Sequence, residues 1–195
     1  MPIKWIITAI DSSRYNNTPS RTSVVNKYNK LLAEQNKNTR ITTFTYTDRL
    51  NLLYDLERGD ASSITDDDIN QQGDTICFLD LLAEIFIMIL KENVKEGSEI
   101  SCNIYTNGNF DTNRKHNSKF VKDIFEALLI RYNIKVFVDE VLFLNEYGVE
   151  TDITSVISDI KTPGLKLESS RSGSMRNLKS KHKVSDFFSI SVRHR

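Results

Sequence analysis

Ile3-Lys4-Trp5-Ile6-Ile7-Thr8-Ala9-Ile10-Asp11-Ser12-Ser13 is the stretch from which the rest of the chain can be read. Ile3 to Ile10 is a nearly unbroken apolar run rich in β-branched residues. Such a run is a strand buried on both faces, as a central parallel strand is. It stops at Asp11-Ser12-Ser13, and a polar, turn-prone stretch with Asn16, Asn17 and Pro19 follows.

Outward from that strand, helices and strands alternate. Thr22 to Gln35 reads as a helix, with Val24, Val25, Tyr28, Leu31 and Leu32 at helical spacing. Arg40 to Thr47 alternates as a strand, and Leu50 to Leu56 reads as its antiparallel hairpin partner after a short turn. Gly59 to Gln72, with Asp66-Asp67-Asp68, reads as a solvated surface loop. Gly73-Asp74-Thr75 is expected to open an apolar helix running to about Lys91, capped by Asp74 or Thr75.

Glu99 to Tyr105 is a further strand, ending at Thr106-Asn107-Gly108. Asn109 to Asn117 reads as loop, Ser118 to Tyr132 as a helix and Ile134 to Val138 as a strand. Val149 to Ile160 is expected to be a last helix. This order predicts an α/β fold: a doubly wound, mostly parallel sheet with one antiparallel edge hairpin strand and helices on both faces.

The chain has 195 residues, room for one domain over residues 1–160 and a tail over 161–195. Hydrophobic content of 39% with 27% charged residues suits a globular domain that needs no disulfide or metal to fold. The formal net charge of zero argues against a whole-molecule polyanion binder. Cys77 and Cys102 sit in apolar runs without metal-ligand spacing, and read as reduced, buried residues. The chain's start has no secretory pattern, and the apolar stretch Ile85 to Leu90 is too short to span a bilayer. An intracellular location, cytoplasm or nucleus, is therefore expected. Abundant Asn, Ile and Lys fit an AT-rich coding genome such as a virus or protist.

From Thr162 the composition shifts. Serines and basic residues dominate, among them Arg171, Arg176, Lys179, Lys181 and Lys183. A flexible basic tail is expected, with Phe187 and Phe188 free to dock on the domain or on a partner. Nucleic acid is a possible partner of the tail through counterion release. A solvated, phosphorylation-tuned tail is the plainer reading. Arg171-Ser172-Gly173-Ser174-Met175 looks like part of an adhesion-site motif, but Ser170 stands where its aspartate would be.

In an open α/β sheet, ligands sit beyond the carboxyl ends of the strands. Asp11-Ser12-Ser13, Gly73-Asp74-Thr75 and Thr106-Asn107-Gly108 should all reach that edge. Their carboxylates and hydroxyls are hard oxygen ligands of the kind Mg²⁺ takes. On these residues the chain resembles a von Willebrand A domain, closest to the compact intracellular kind found in bacteria, phages and large viruses. That family's metal-ion-dependent adhesion site begins Asp-x-Ser-x-Ser. Asp11 and Ser13 match it, while Tyr15 replaces the second serine. Gly73-Asp74-Thr75 matches the family's Gly-x-Thr, and Leu79-Asp80 its frequent Leu-Asp. Thr106-Asn107-Gly108 has an amide where the family has the carboxylate of Thr-Asp-Gly. The resemblance covers about residues 1–160.

The resemblance implies a metal set of Asp11, Ser13 and Thr75 that has lost one carboxylate and one hydroxyl. Mg²⁺ binding should then be weak or absent, unless Asp74 or Asp111 compensates. The plainer alternative is that Asp11 and Ser13 satisfy loop amides and Thr75 caps a helix. The function implied is non-catalytic protein–protein interaction through residues 11–18, 73–75 and 106–111. Ser12, Arg14, Tyr15, Asp74, Asn107 and Asp111 would line that edge. The runner-up is a metal-dependent Rossmann-like nuclease using Asp11, Asp80 and Asp111. His116, His182 and His194 have no Cys or Asp at zinc or catalytic spacing, and His116 is expected to be solvated.

Overall fold

The computed structural model describes residues 1–13, 18–57, 63–69, 73–106, 111, 115–140 and 170–171. Its elements in chain order are β1 (Lys4–Asp11), α1 (Thr18–Ala33), β2 (Arg40–Tyr46), β3 (Leu50–Glu57), a 3₁₀ turn (Asp67–Ile69), α2 (Phe78–Lys91), β4 (Glu99–Thr106), α3 (Ser118–Arg131), β5 (Asn133–Glu140) and β6 (Ser170–Arg171). They form one sheet in the order β3-β2-β1-β4-β5-β6.

β1 is an inner strand. It pairs parallel with β2 from Trp5↔Arg40 to Asp11↔Tyr46, and parallel with β4 from Lys4↔Glu99 to Ile10↔Tyr105. β3 is antiparallel to β2, as the hairpin reading requires, with a bulge between Thr43 and Phe44. Successive strand side chains point to opposite faces. Ile7, Ala9, Cys102 and Ile104 therefore pack with Leu82, Phe86, Val121 and Phe125 of α2 and α3 on one face. Ile6, Ile10 and Ile41 pack with Val24, Val25, Tyr28 and Leu32 of α1 on the other. That two-sided burial is why β1 carries almost no polar residue before Asp11. The doubly wound sheet with one antiparallel strand is the architecture the alternating pattern predicts.

Several local expectations need correction. α1 begins at Thr18, four residues before the expected start, and takes in Pro19. A proline is tolerated in a first turn because its missing N–H has no helical partner there. α2 begins at Phe78, not at Gly73-Asp74-Thr75. Its N-cap residue is Cys77, whose side chain makes no capping bond, and not Asp74 or Thr75. Residues 63–69, expected as surface loop, bury Ile64 and Ile69 against α1. Asn29 secures them, donating to the Ile64 carbonyl and accepting from its N–H, both at 3.0 Å. Asp66 and Asp68 there accept from Thr22 and Thr65.

Two residues assigned to the tail also belong to the sheet, since Ser170 and Arg171 pair parallel with Asp139 and Glu140. Extended backbone beside an open strand edge gains ladder hydrogen bonds, which composition does not reveal. The expected helix over Val149 to Ile160 lies outside the described residues, as do Phe187 and Phe188.

A polar latch closes the end of the sheet where β1 and β2 start. Trp5 Nε1 donates to Thr42 Oγ1 at 2.7 Å, and Thr42 Oγ1 donates to Asp55 Oδ1 at 2.6 Å. Arg40 pairs with Asp55 and with Glu92, and lies over the Trp5 ring at 4.3 Å. The Arg40 guanidinium holds the Asp55 carboxyl below its ordinary value, against the opposing effect of burial. A depressed folded-state value gives stability that is present above the unfolded value, about 3.9, and lost as pH falls through the folded one. Arg40→Met should therefore lower the urea midpoint at neutral pH. The gap from the parent protein should narrow once Asp55 is protonated. A gap that stays constant into strong acid would contradict this role of the pair.

Candidate functional site

β1, β2 and β4 are parallel, so their carboxyl ends share one edge of the sheet. β1 delivers Asp11, Ser12 and Ser13 there, all buried. Asp11 Oδ1 accepts the Ser13 N–H at 2.9 Å, which turns the chain sharply off the strand. Ser12 ties this turn to β2, its N–H and hydroxyl both donating to the Tyr46 carbonyl, at 3.0 Å and 3.1 Å. Ser13 Oγ is buried and has no hydrogen-bond partner among the described residues. A buried hydroxyl without a partner costs free energy that a ligand could recover.

Tyr46, at the end of β2, is fully buried and bridges the strand ends. Its hydroxyl donates to the Tyr105 carbonyl of β4 at 3.1 Å, reaching across β1. Burial pushes the phenol well above its ordinary range, the Asp11 charge adds to that, and a hydrogen bond from Thr106 opposes it. The phenol thus stays protonated beside Asp11. Sequence reasoning gave Tyr46 no role. The signal was present, because Tyr46 ends the strand beside the one that ends in Asp11.

The third component is the lead-in to α2. Gly73 lies so close to the β2–β3 turn that an added Cβ would sit 2.9 Å from Thr47 Cβ. Glycine is required here by close approach. Thr47 itself makes the turn, its N–H donating to the Arg49 carbonyl at 3.1 Å and its hydroxyl to Asp48 at 2.9 Å. The contact brings Asp74, exposed, and Thr75, buried, to the same edge. From the β4 side, the Asp111 N–H donates to the Ile76 carbonyl at 3.3 Å. Contacts therefore run from Asp11 through Tyr46 and Thr47 to Gly73, and from Ile76 to Asp111, with Thr106 beside Tyr46. Arg14, Tyr15 and Asn107 lie outside the described residues. So do the tail residues Arg176, Lys179, Lys181 and Lys183, while Arg171 lies in β6.

Asp80 and His116 depart from expectation. Asp80 is a buried residue of the first turn of α2, and its oxygens are directed at residues 115 and 116. It accepts the Lys115 N–H at 2.8 Å and 3.0 Å and the His116 N–H at 2.8 Å. His116 Nδ1 adds a contact of 2.8 Å, and its ring stacks on Phe120. Burial would raise the Asp80 carboxyl, but these donors together hold it below its ordinary value. His116 is thus paired rather than solvated. The two are 36 residues apart, beyond any local motif.

Among the described residues, no three His, Cys, Asp or Glu side chains converge on a common point. Cys77 and Cys102 are free thiols in the core, and burial pushes Cys102 up to about 12, so it holds its proton. Among the described residues, no helix is long and apolar enough to cross a membrane.

The Gly73 contact is directly testable. Gly73→Ala should cost about 1–3 kcal/mol in chemical denaturation, the range for overpacking a tight contact. Adding Thr47→Gly should recover part of the loss by removing the atoms that the new methyl meets. Full stability in Gly73→Ala alone would show that the lead-in is not held against the turn.

No protein-family model matches the chain, and no curated protein sequence matches it either. Solved structures do match in fold. A von Willebrand factor type A protein from Catenulispora acidiphila superposes with a TM-score of 0.58 at 11% identity, covering 90% of this chain and 39% of that one. The pilus adhesin SpaC of Lactobacillus rhamnosus gives 0.53 at 10% identity, covering 82% and 27%. An aerotolerance-related membrane protein from Bacteroides fragilis gives 0.51 at 12% identity, covering 80% and 86%. The chain thus spans less than half the length of the first two. At these identities the likeness concerns fold alone, and the chain has a von Willebrand A-like α/β fold.

Proposed function

We propose that the chain is a non-catalytic protein-binding module, and that its partner docks on the rim where β1, β2 and β4 end. The observation that carries this reading is the Ser13 hydroxyl next to Asp11, buried and unpartnered among the described residues, at the edge where open α/β sheets take their ligands. Asp74 and Asp111 are exposed and would supply polar contacts for a partner surface. One of the structural neighbours is a pilus adhesin, which agrees with a role in binding without identifying a partner here.

Asp11, Ser13 and Thr75 would hold Mg²⁺ if one binds. Asp11 is the only carboxylate of that set, and one of its oxygens already accepts a loop amide. Mg²⁺ favours carboxylates and near-ideal octahedral geometry, so this set should bind it weakly or not at all. The nuclease alternative loses support because Asp80, one of its three carboxylates, is engaged by Lys115 and His116. Two buried free cysteines suit a reducing, intracellular compartment.

Cross-linking of a tagged full chain in cells tests the docking edge. Partners caught by the parent protein should be lost with Asp74→Arg or Asp111→Arg and kept with Lys122→Glu on α3. Equal capture by all variants would remove the rim from the binding surface. For the metal, millimolar Mg²⁺ should raise Tm by no more than about 1 °C. A rise of several degrees that Asp11→Ala abolishes would establish a working metal site.

A further inference from the structure

Resting on the reading of the rim as the binding edge, we propose that Asp80 is a positioning residue for it. Asp80 fixes Lys115 and His116 against the first turn of α2, and His116 is its side-chain partner.

Among the described residues after β4, Asp111 and the pair Lys115–His116 both bond to one short stretch of chain. The Ile76 carbonyl holds the Asp111 N–H, and the Asp80 carboxylate holds the N–H groups of Lys115 and His116. Residues 76–80 are thus a common anchor for Thr75 on one side and Asp111 on the other. A carboxylate only accepts, so the contact with His116 Nδ1 places the hydrogen on that nitrogen. One carboxylate therefore takes two backbone donors and one ring donor. Charge-assisted bonds of this kind are roughly twice as strong as neutral ones. Asn117 caps α3 by accepting the Phe120 N–H at 2.8 Å, so the clamped residues lead directly into a helix start.

The arrangement does more than fill a core position. Helix α2 is anchored independently by Leu81, Leu82, Ile85 and Phe86, all buried. Removing the Asp80 charge should release the loop and leave the sheet intact. A purely structural carboxylate would instead destabilise the whole molecule evenly.

Hydrogen–deuterium exchange on the full chain separates the two outcomes. Asp80→Asn keeps the size of the side chain but turns an accepting oxygen into a donor facing an N–H. Exchange in peptides spanning 107–117 should quicken by about tenfold or more, the expected consequence of losing charge-assisted bonds. Exchange in β1 and β4 should keep its rate. His116→Ala should give a smaller effect, because the backbone donors persist, and that effect should largely vanish in the Asp80→Asn background. Unchanged exchange at 107–117, or an even increase over the whole sheet, would overturn the proposal. So would additive effects of the two substitutions. These readouts need no partner, so a failure of partner capture leaves them standing and falls on the rim reading alone.

Discussion

The parallel pairing of β1 with strands on both sides governs the rest of the structure. A strand bonded along both edges and covered on both faces has no contact with water except at its ends. Its interior is mostly apolar, with Thr8 as a buried exception, and its polar residues cluster where it leaves the sheet. Asp11, Ser12 and Ser13 are those residues. Because β2 and β4 run parallel to β1, their own exits lie beside it. The same constraint that builds the core thus gathers polar side chains from distant parts of the chain.

The gathering depends on unlike contacts. Tyr46 spans three strands with a buried phenol. Gly73 admits the α2 lead-in to the β2–β3 turn by having no side chain. Asp80 works at longer range, holding the loop after β4 through backbone donors. Each solves a different problem: satisfying a strand-end carbonyl, permitting close approach, and satisfying the backbone N–H groups of Lys115 and His116.

The sheet was legible in the sequence because its signals are local. The apolar run of β1, the alternation of β2 and the periodic face of α3 each declare themselves within a dozen residues. What escaped reading depends on contacts between remote segments. Gly73-Asp74-Thr75 has the composition of a helix start, but Gly73 is held by Thr47, and the helix begins later. Ile64 and Ile69 looked incidental in a polar stretch, and their burial depends on α1. His116 seemed solvated because its partner, Asp80, lies far back in the chain. At the site, Asp11, Ser13 and Thr75 stand out by resemblance to a motif, whereas Tyr46 stands out only by its place at the end of the strand beside Asp11.

The ends of β1, β2 and β4 form one continuous rim. Amide chemical shifts of Tyr46→Phe against the parent protein test it most directly, since the change removes a single hydroxyl. The account predicts shifts at Asp11 to Ser13 and at Tyr105 and Thr106, on strands to either side of the ring's path. Shifts confined to β2 and β3 would contradict it.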